Sequence, residues 1–129
     1  MNKILVEVSV GELLDKISIL EIKQEKIKDS EKLKFINEEH LILKKQLNNK
    51  LKSDQKLDEL FESLKQINAK LWVIEDDKRQ CEKEKDFTEA FIKLSRDVHF
   101  LNDDRAKIKL AINNKTGSKI KEIKQYTNY

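Results

Sequence analysis

The sequence predicts an all-α fold: an antiparallel bundle of about four helices, with a long hairpin between the third and fourth and a short extended N-terminal segment. Three observations predict it. Charged residues make up 40% of the chain and aromatics 6%, with two glycines and no proline, a composition that suits long helices better than turn-rich β-sheet. Apolar residues recur in steps of three and four over most of the length, which is the spacing of one helix face. Polar residues that accept hydrogen bonds from a helix N-terminus stand at the start of several of these runs. The 129 residues read as one domain, long enough to bury its own core.

Residues 1–9 read as an extended arm. Ile4, Val6, Val8 and Val10 alternate with Leu5, Glu7 and Ser9, the period-two pattern of a short strand. A strand there needs a partner, either the C-terminal segment near Tyr126 or a second subunit. The first helix is expected over about 10–28. Ser9 and Glu12 form a Ser-x-x-Glu capping box, and Leu13, Ile17, Leu20 and Ile27 mark a core-facing stripe. Asp29-Ser30 ends this helix and caps the next, over about 31–51, whose stripe is Leu33, Ile36, His40, Leu43, Leu47 and Leu51. A lone His on such a stripe, with no metal-ligand spacing beside it, fits a hydrogen-bonded rim residue.

The third helix, about 54–83, follows an unbroken heptad seam through Leu57, Leu60, Leu64, Ile67, Leu71, Ile74, Lys78 and Cys81. The fourth, about 87–115, repeats it with Phe87, Phe91, Leu94, Val98, Leu101, Arg105, Ile108 and Ile112. Asp86 and Glu89 suggest a second capping box. Gly117 suits a left-handed helix stop before a basic tail over 116–129. The short third turn makes an antiparallel hairpin, with Trp72 near Val98, Glu75 near Ser95 and Val73 near Asp97. Lys78 and Arg105 sit on the seams, where unpaired charge is costly, so a polar pocket or a partner surface is expected to interrupt them.

Beyond Asn114 four lysines face one acid, Glu122, which accounts for the whole net charge of +3 and leaves residues 1–114 neutral. A neutral body with a mildly basic tail is a poor footprint for duplex nucleic acid, and the tail reads as solvated. The single cysteine, Cys81, excludes an internal disulfide and a cysteine-based zinc site. No apolar run approaches the length of a bilayer span, and the interrupted start lacks a signal-peptide core. The expectation is a cytoplasmic protein without a membrane partner.

The stretch Leu71–Glu82 is the least generic, holding the only tryptophan and an acidic triplet. Trp72 can stack on a planar group or pack on a partner helix. Lys16, Lys78, Arg79, Arg96, Arg105 and Lys107 can supply cationic contacts to phosphate or carboxylate, with Glu75 flanking the seam among them. A second reading uses Glu12, Asp15, Glu75, Asp76 and Asp104, since carboxylates converging in a helical bundle can hold Mg²⁺ for phosphate chemistry. Nucleotide pyrophosphohydrolases of the MazG type do so with ExxE on one helix and ExxD on the next. Here Glu59-x-x-Glu62 is followed by Glu75-x-x-Lys78, so the last acid is a lysine. No Gly-rich phosphate loop and no nucleophile elbow is present.

Three stretches carry a resemblance: Val6–Lys23 (VEVSVGELLDKISILEIK), Leu71–Glu82 (LWVIEDDKRQCE), and Asn102–Lys109 (NDDRAKIK) followed by Asn113, Gly117-Ser118, Glu122, Lys124 and Tyr126. Together they resemble a family of small uncharacterised helical proteins of bacteria and some of their phages. Lys78 departs from that pattern, which is apolar at this position. The resemblance implies an all-α fold and carries no activity or catalytic residue. The expectation is a non-enzymatic, homo-oligomeric binding protein without a cofactor, taking a small anionic, nucleotide-type ligand through Lys16, Trp72, Glu75, Lys78, Arg79, Arg96 and Arg105. In a phage, sequestration of a nucleotide signal suits so small a chain. The alternatives are a Mg²⁺-dependent nucleotide phosphohydrolase and a coiled-coil adaptor.

Overall fold

The computed structural model describes residues 2–129, so the first residue of the expected arm, Met1, lies outside the described residues. Four helices follow one another: α1 (Val10–Lys26), α2 (Ser30–Lys50), α3 (Gln55–Glu84) and α4 (Glu89–Thr116). The fold is an all-α bundle, with no strand among the described residues. α3 and α4 form the long antiparallel hairpin, and α1 packs against α2 on one side and against both hairpin helices on the other.

Local chemistry sets the helix ends. Ser9 Oγ accepts from the Glu12 N–H at 3.1 Å, and Asp29 accepts from the N–H groups of Glu31 and Lys32, which satisfies donors left open in a first turn. Asp54 does the same for Lys56 at the start of α3. Of the two expected capping boxes, the first is half made and the second is not formed. The Glu12 side chain turns to Lys109 rather than back to Ser9. Asp86 binds the N–H of Thr88 at 3.1 Å, and Thr88 holds the N-cap position of α4. Lys85 closes α3 in the left-handed region (φ 58°) and Gly117 closes α4 there (φ 67°), the conformation that lets the chain leave a helix while satisfying its last carbonyls.

Because α1 is sandwiched, it buries more than one stripe. Leu14, Ile17, Leu20 and Ile22 are all buried, whereas Leu13, expected on the core stripe, is half-exposed. Leu14 joins Leu57, Leu64 and Ile112 in the central cluster. The α3 seam is also shifted from the expected one: Asn68 is buried beside Leu64 and Leu71, and Ile67 is half-exposed. Along α4 only Ile112 of the expected seam is fully buried. α1 stops at Lys26, so the far half of the hairpin has no third helix to cover it.

The arm makes no strand with the tail, and Ile4, Leu5 and Val6 are exposed. The tail carries no regular structure and residues 119–129 are exposed, yet it is tied to the bundle: Val10 donates its N–H to Ser118 Oγ (3.3 Å), Lys109 Nζ to Glu122 Oε2 (2.7 Å), and Tyr129 pairs with Asp103.

Candidate functional site

The site begins where α1 meets α4. A Cβ on Gly11 would come within 2.7 Å of the Lys109 carbonyl oxygen, so only glycine permits this approach. The Gly11 N–H donates to Asn113 Oδ1 at 2.7 Å. With Val10 bound to Ser118 and Glu12 to Ser9, the first turn of α1 is satisfied by fixed side chains, and the next turn is held against α3 and α4.

That next turn carries Asp15, only 2% exposed. A buried carboxylate demands compensation, and α3 and α4 supply it. Asn68 Nδ2 of α3 donates to Asp15 Oδ1 at 2.8 Å and to Ser18 Oγ at 2.8 Å. Arg105 of α4 forks onto the same carboxylate, Nε to Oδ1 at 3.0 Å and Nη2 to Oδ2. Arg105 Nη1 donates to Asn102 Oδ1 at 3.3 Å. One turn along, the buried Lys109 ammonium lies 2.8 Å from Glu12 Oε2, 2.7 Å from Glu122 Oε2 and 3.9 Å from Asp15 Oδ2. No buried side-chain polar atom is left without a partner among the described residues.

The electrostatics follow from these contacts. The hydrogen bond with Asp15 raises the Arg105 pKa against the cost of burial. Burial opposes the Lys109 charge, but hydrogen bonds to Glu12 and Glu122 outweigh it and hold its pKa above that of an ordinary lysine. The same bond to Lys109 pulls the Glu122 carboxyl below the usual glutamate value. Arg105, Lys109 and Glu122 are therefore charged near neutral pH.

Arg105 also borders a cleft of about 470 Å³ between α1, α3 and α4, a size that admits one small organic molecule. Its floor is apolar, formed by Ile19, Ile22, Leu71 and Trp72. Asn68, Asn102 and Arg105 edge the floor, and Glu75, Asp76 and Arg79 lie on the outer wall. Arg79 Nη1 donates to Glu75 Oε2 at 2.9 Å in an exposed pair. The cleft thus combines an aromatic face, two amides and charges of both signs.

Of the seven residues expected to bind a ligand, Trp72, Glu75, Arg79 and Arg105 come together at this cleft. The other three lie outside it. Lys16 is exposed on α1. The Lys78 ammonium sits 5.9 Å from the Phe91 ring centre, which supports a seam charge by cation–π contact. The Arg96 guanidinium lies 5.8 Å from the Phe100 ring centre. The five carboxylates of the Mg²⁺ reading are not gathered. Glu12 and Asp15 are engaged by Lys109 and Arg105, Glu75 and Asp76 stand on the cleft wall, and Asp104 is exposed apart from it. Among the described residues no group of three or more His, Cys, Asp or Glu is arranged to hold a metal. His40 pairs with Glu21 at 3.1 Å on the rim between α1 and α2.

Sequence reasoning missed Ser18, Asn68, Asn102, Lys109 and Glu122 as members of the network. One signal was available: Asn68 falls four residues after Leu64 and three before Leu71, a polar residue at core spacing. A second cavity of about 610 Å³ lies between α4 and the tail, bordered by His99, Asp103, Lys124, Tyr126 and Tyr129, and Asn102 lines both cavities.

A four-helix bundle whose buried charge network opens on an aromatic-floored cleft is the class of molecule these features define. The chain belongs to a family of unknown function, DUF6165, with the match covering residues 4–129. No curated protein matches the chain, and no solved structure does. Among the described residues no helix is long and apolar enough to cross a membrane.

Proposed function

We propose that the chain is a non-catalytic, self-associating binding protein whose cleft takes a small anionic ligand with a planar ring, of nucleotide type. The observation that carries the reading is the position of Arg105. Asp15 and Asn102 hold its guanidinium at the cleft edge before any ligand arrives, and Asn68 braces Asp15, so little ordering cost remains on binding. A guanidinium has more N–H donors than these partners use, and the remainder are available to a phosphate or carboxylate. Trp72 offers a face for stacking, and the Asn102 amide, engaged by Arg105 only through Oδ1, can read the edge of a ring with Nδ2. Arg79, paired only with the exposed Glu75, can exchange that partner for a ligand anion at small cost, since exposed pairs contribute little.

Melting the protein against a panel of nucleoside mono-, di- and triphosphates, with and without Mg²⁺, tests this. The expected result is a rise in melting temperature with at least one nucleotide and recovery of that nucleotide unchanged. Turnover that requires Mg²⁺ and is abolished in Glu75→Gln overturns it in favour of a phosphohydrolase. A melt that depends on protein concentration but responds to no nucleotide overturns it in favour of a coiled-coil adaptor.

A further inference from the structure

The far half of the α3/α4 hairpin carries an open apolar groove of about 650 Å³, on the surface left uncovered where α1 ends. Val73, Ile74, Phe100 and Leu101 line it, and Val73 is 47% exposed. Lys26 and Lys70 border it on the α1 and α3 side and Asp97 on the α4 side. The chain holds a second unsatisfied apolar surface at its other end. In the N-terminal arm Ile4 is 86% exposed, Leu5 78% and Val6 74%, and no backbone ladder pairs the arm among the described residues. Two exposed apolar surfaces of this kind on one small chain mark an interaction site.

We propose that the groove receives the N-terminal arm of a second copy of this chain, so that two copies exchange arms across a two-fold axis. The chemistry matches. Ile4, Val6 and Val8 lie on one side of an extended segment and fit an apolar trough, while Lys3 can join the exposed Lys93–Asp97 pair on one wall and Glu7 can meet Lys26 and Lys70 on the other. Reach decides between the arm's own groove and a neighbour's. The arm leaves the bundle at Val10, and the groove begins at Lys26, the opposite end of a 17-residue helix that spans about 25 Å. Val6, the centre of the apolar run, stands four residues before Val10 and extends at most about 14 Å from it. The tethered arm therefore falls short of its own groove. The arm of another copy has no such limit, and reciprocal exchange closes the assembly at two. The groove and the ligand cleft share no lining residue, so the dimer stands or falls independently of the ligand.

The test is sedimentation equilibrium across a concentration series of the full chain, with Val6→Asp and Val73→Glu, both at exposed positions, and with circular dichroism to confirm an unchanged helix content. Wild type is expected to pass from monomer to dimer mass, and each variant to raise the dissociation constant by roughly tenfold or more, a loss of about 1.4 kcal/mol. An equimolar mixture of the two variants should regain association relative to either alone, because the intact arm of one meets the intact groove of the other. A wild type that stays monomeric, a dimer that neither variant weakens, or a mixture no better than its components overturns the proposal.

Discussion

Asp15 is the residue on which the candidate site depends. Its carboxylate is almost wholly buried and is shared by Arg105 and Asn68, so removing it leaves a partly buried guanidinium and an amide without their acceptor. Truncating one partner of such a pair costs about 3 kcal/mol or more. Asp15→Ala should therefore lose about 3 kcal/mol in urea unfolding, against well under 1 kcal/mol for Glu75→Ala, whose pair with Arg79 is exposed. Glu122 sets a pH dependence with a definite sign. Its hydrogen bond to Lys109 lowers its pKa from 4.5, so its stabilising contribution is fully present above pH 4.5 and is lost as the pH falls through the lower folded value. The Lys109 pKa is raised from 10.5, so its contribution holds below pH 10.5 and disappears only above it. Tail anchoring should be constant between those limits. Below pH 4.5 the stability of wild type should fall more steeply than that of Glu122→Gln, as measured by urea midpoints across the acid range. Equal slopes would separate the tail from the network.

At the scale of elements, much of the helical plan was readable because its signals are local. Ser9, Asp29 and Asp54 accept from N–H groups of the turns they precede, and the spacing of three and four residues runs through every helix. Burial was less readable, because it depends on neighbours that spacing does not name. α1 buries Leu14 and Ile22 outside its expected stripe since it has helices on both sides. Asn68 sits at a core position that the seam assigned to its neighbour Ile67, because a polar residue does not enter an apolar count. Arg105 stood out as a charge on a seam, but its partner Asp15 lies 90 positions away and no local pattern joins them. Trp72, Glu75 and Arg79 share one side of α3, which helical spacing can show. Lys16 and Arg96 fall outside the cleft because proximity along a helix or hairpin does not specify the side that faces a cavity. The approach of α1 to α4 gives an element-scale prediction. Gly11→Ala places a methyl 2.7 Å from the Lys109 carbonyl oxygen, and overpacking costs about 1–3 kcal/mol, more than the gain of up to about 1 kcal/mol in helix propensity. The variant should melt below wild type in a thermal unfolding experiment, and an unchanged or higher melting temperature would mean that α1 can shift without cost.

The whole molecule divides along its length. One end packs α1, α2 and the near half of the hairpin around Leu14, Leu57, Leu64 and Ile112, with the charge network on its flank. The other end is a hairpin without a third helix, where Val73 and Ile92 are exposed and Phe100 packs edge-on against Tyr129 of the tail. Rigid packing at the first end keeps Arg105 in place at the cleft, and uncovered surface at the second leaves room for a partner copy. The single tryptophan lies in the cleft, so its fluorescence reports directly on occupancy. Titration of the protein with nucleotides, following Trp72 emission, is the most direct measurement of the central claim. A saturable change is expected with at least one nucleotide, weakened roughly tenfold in Arg79→Ala, a variant whose urea midpoint should match wild type because Arg79 is exposed. Emission unchanged by every nucleotide up to roughly millimolar concentration, or a response that Arg79→Ala leaves untouched, would contradict it.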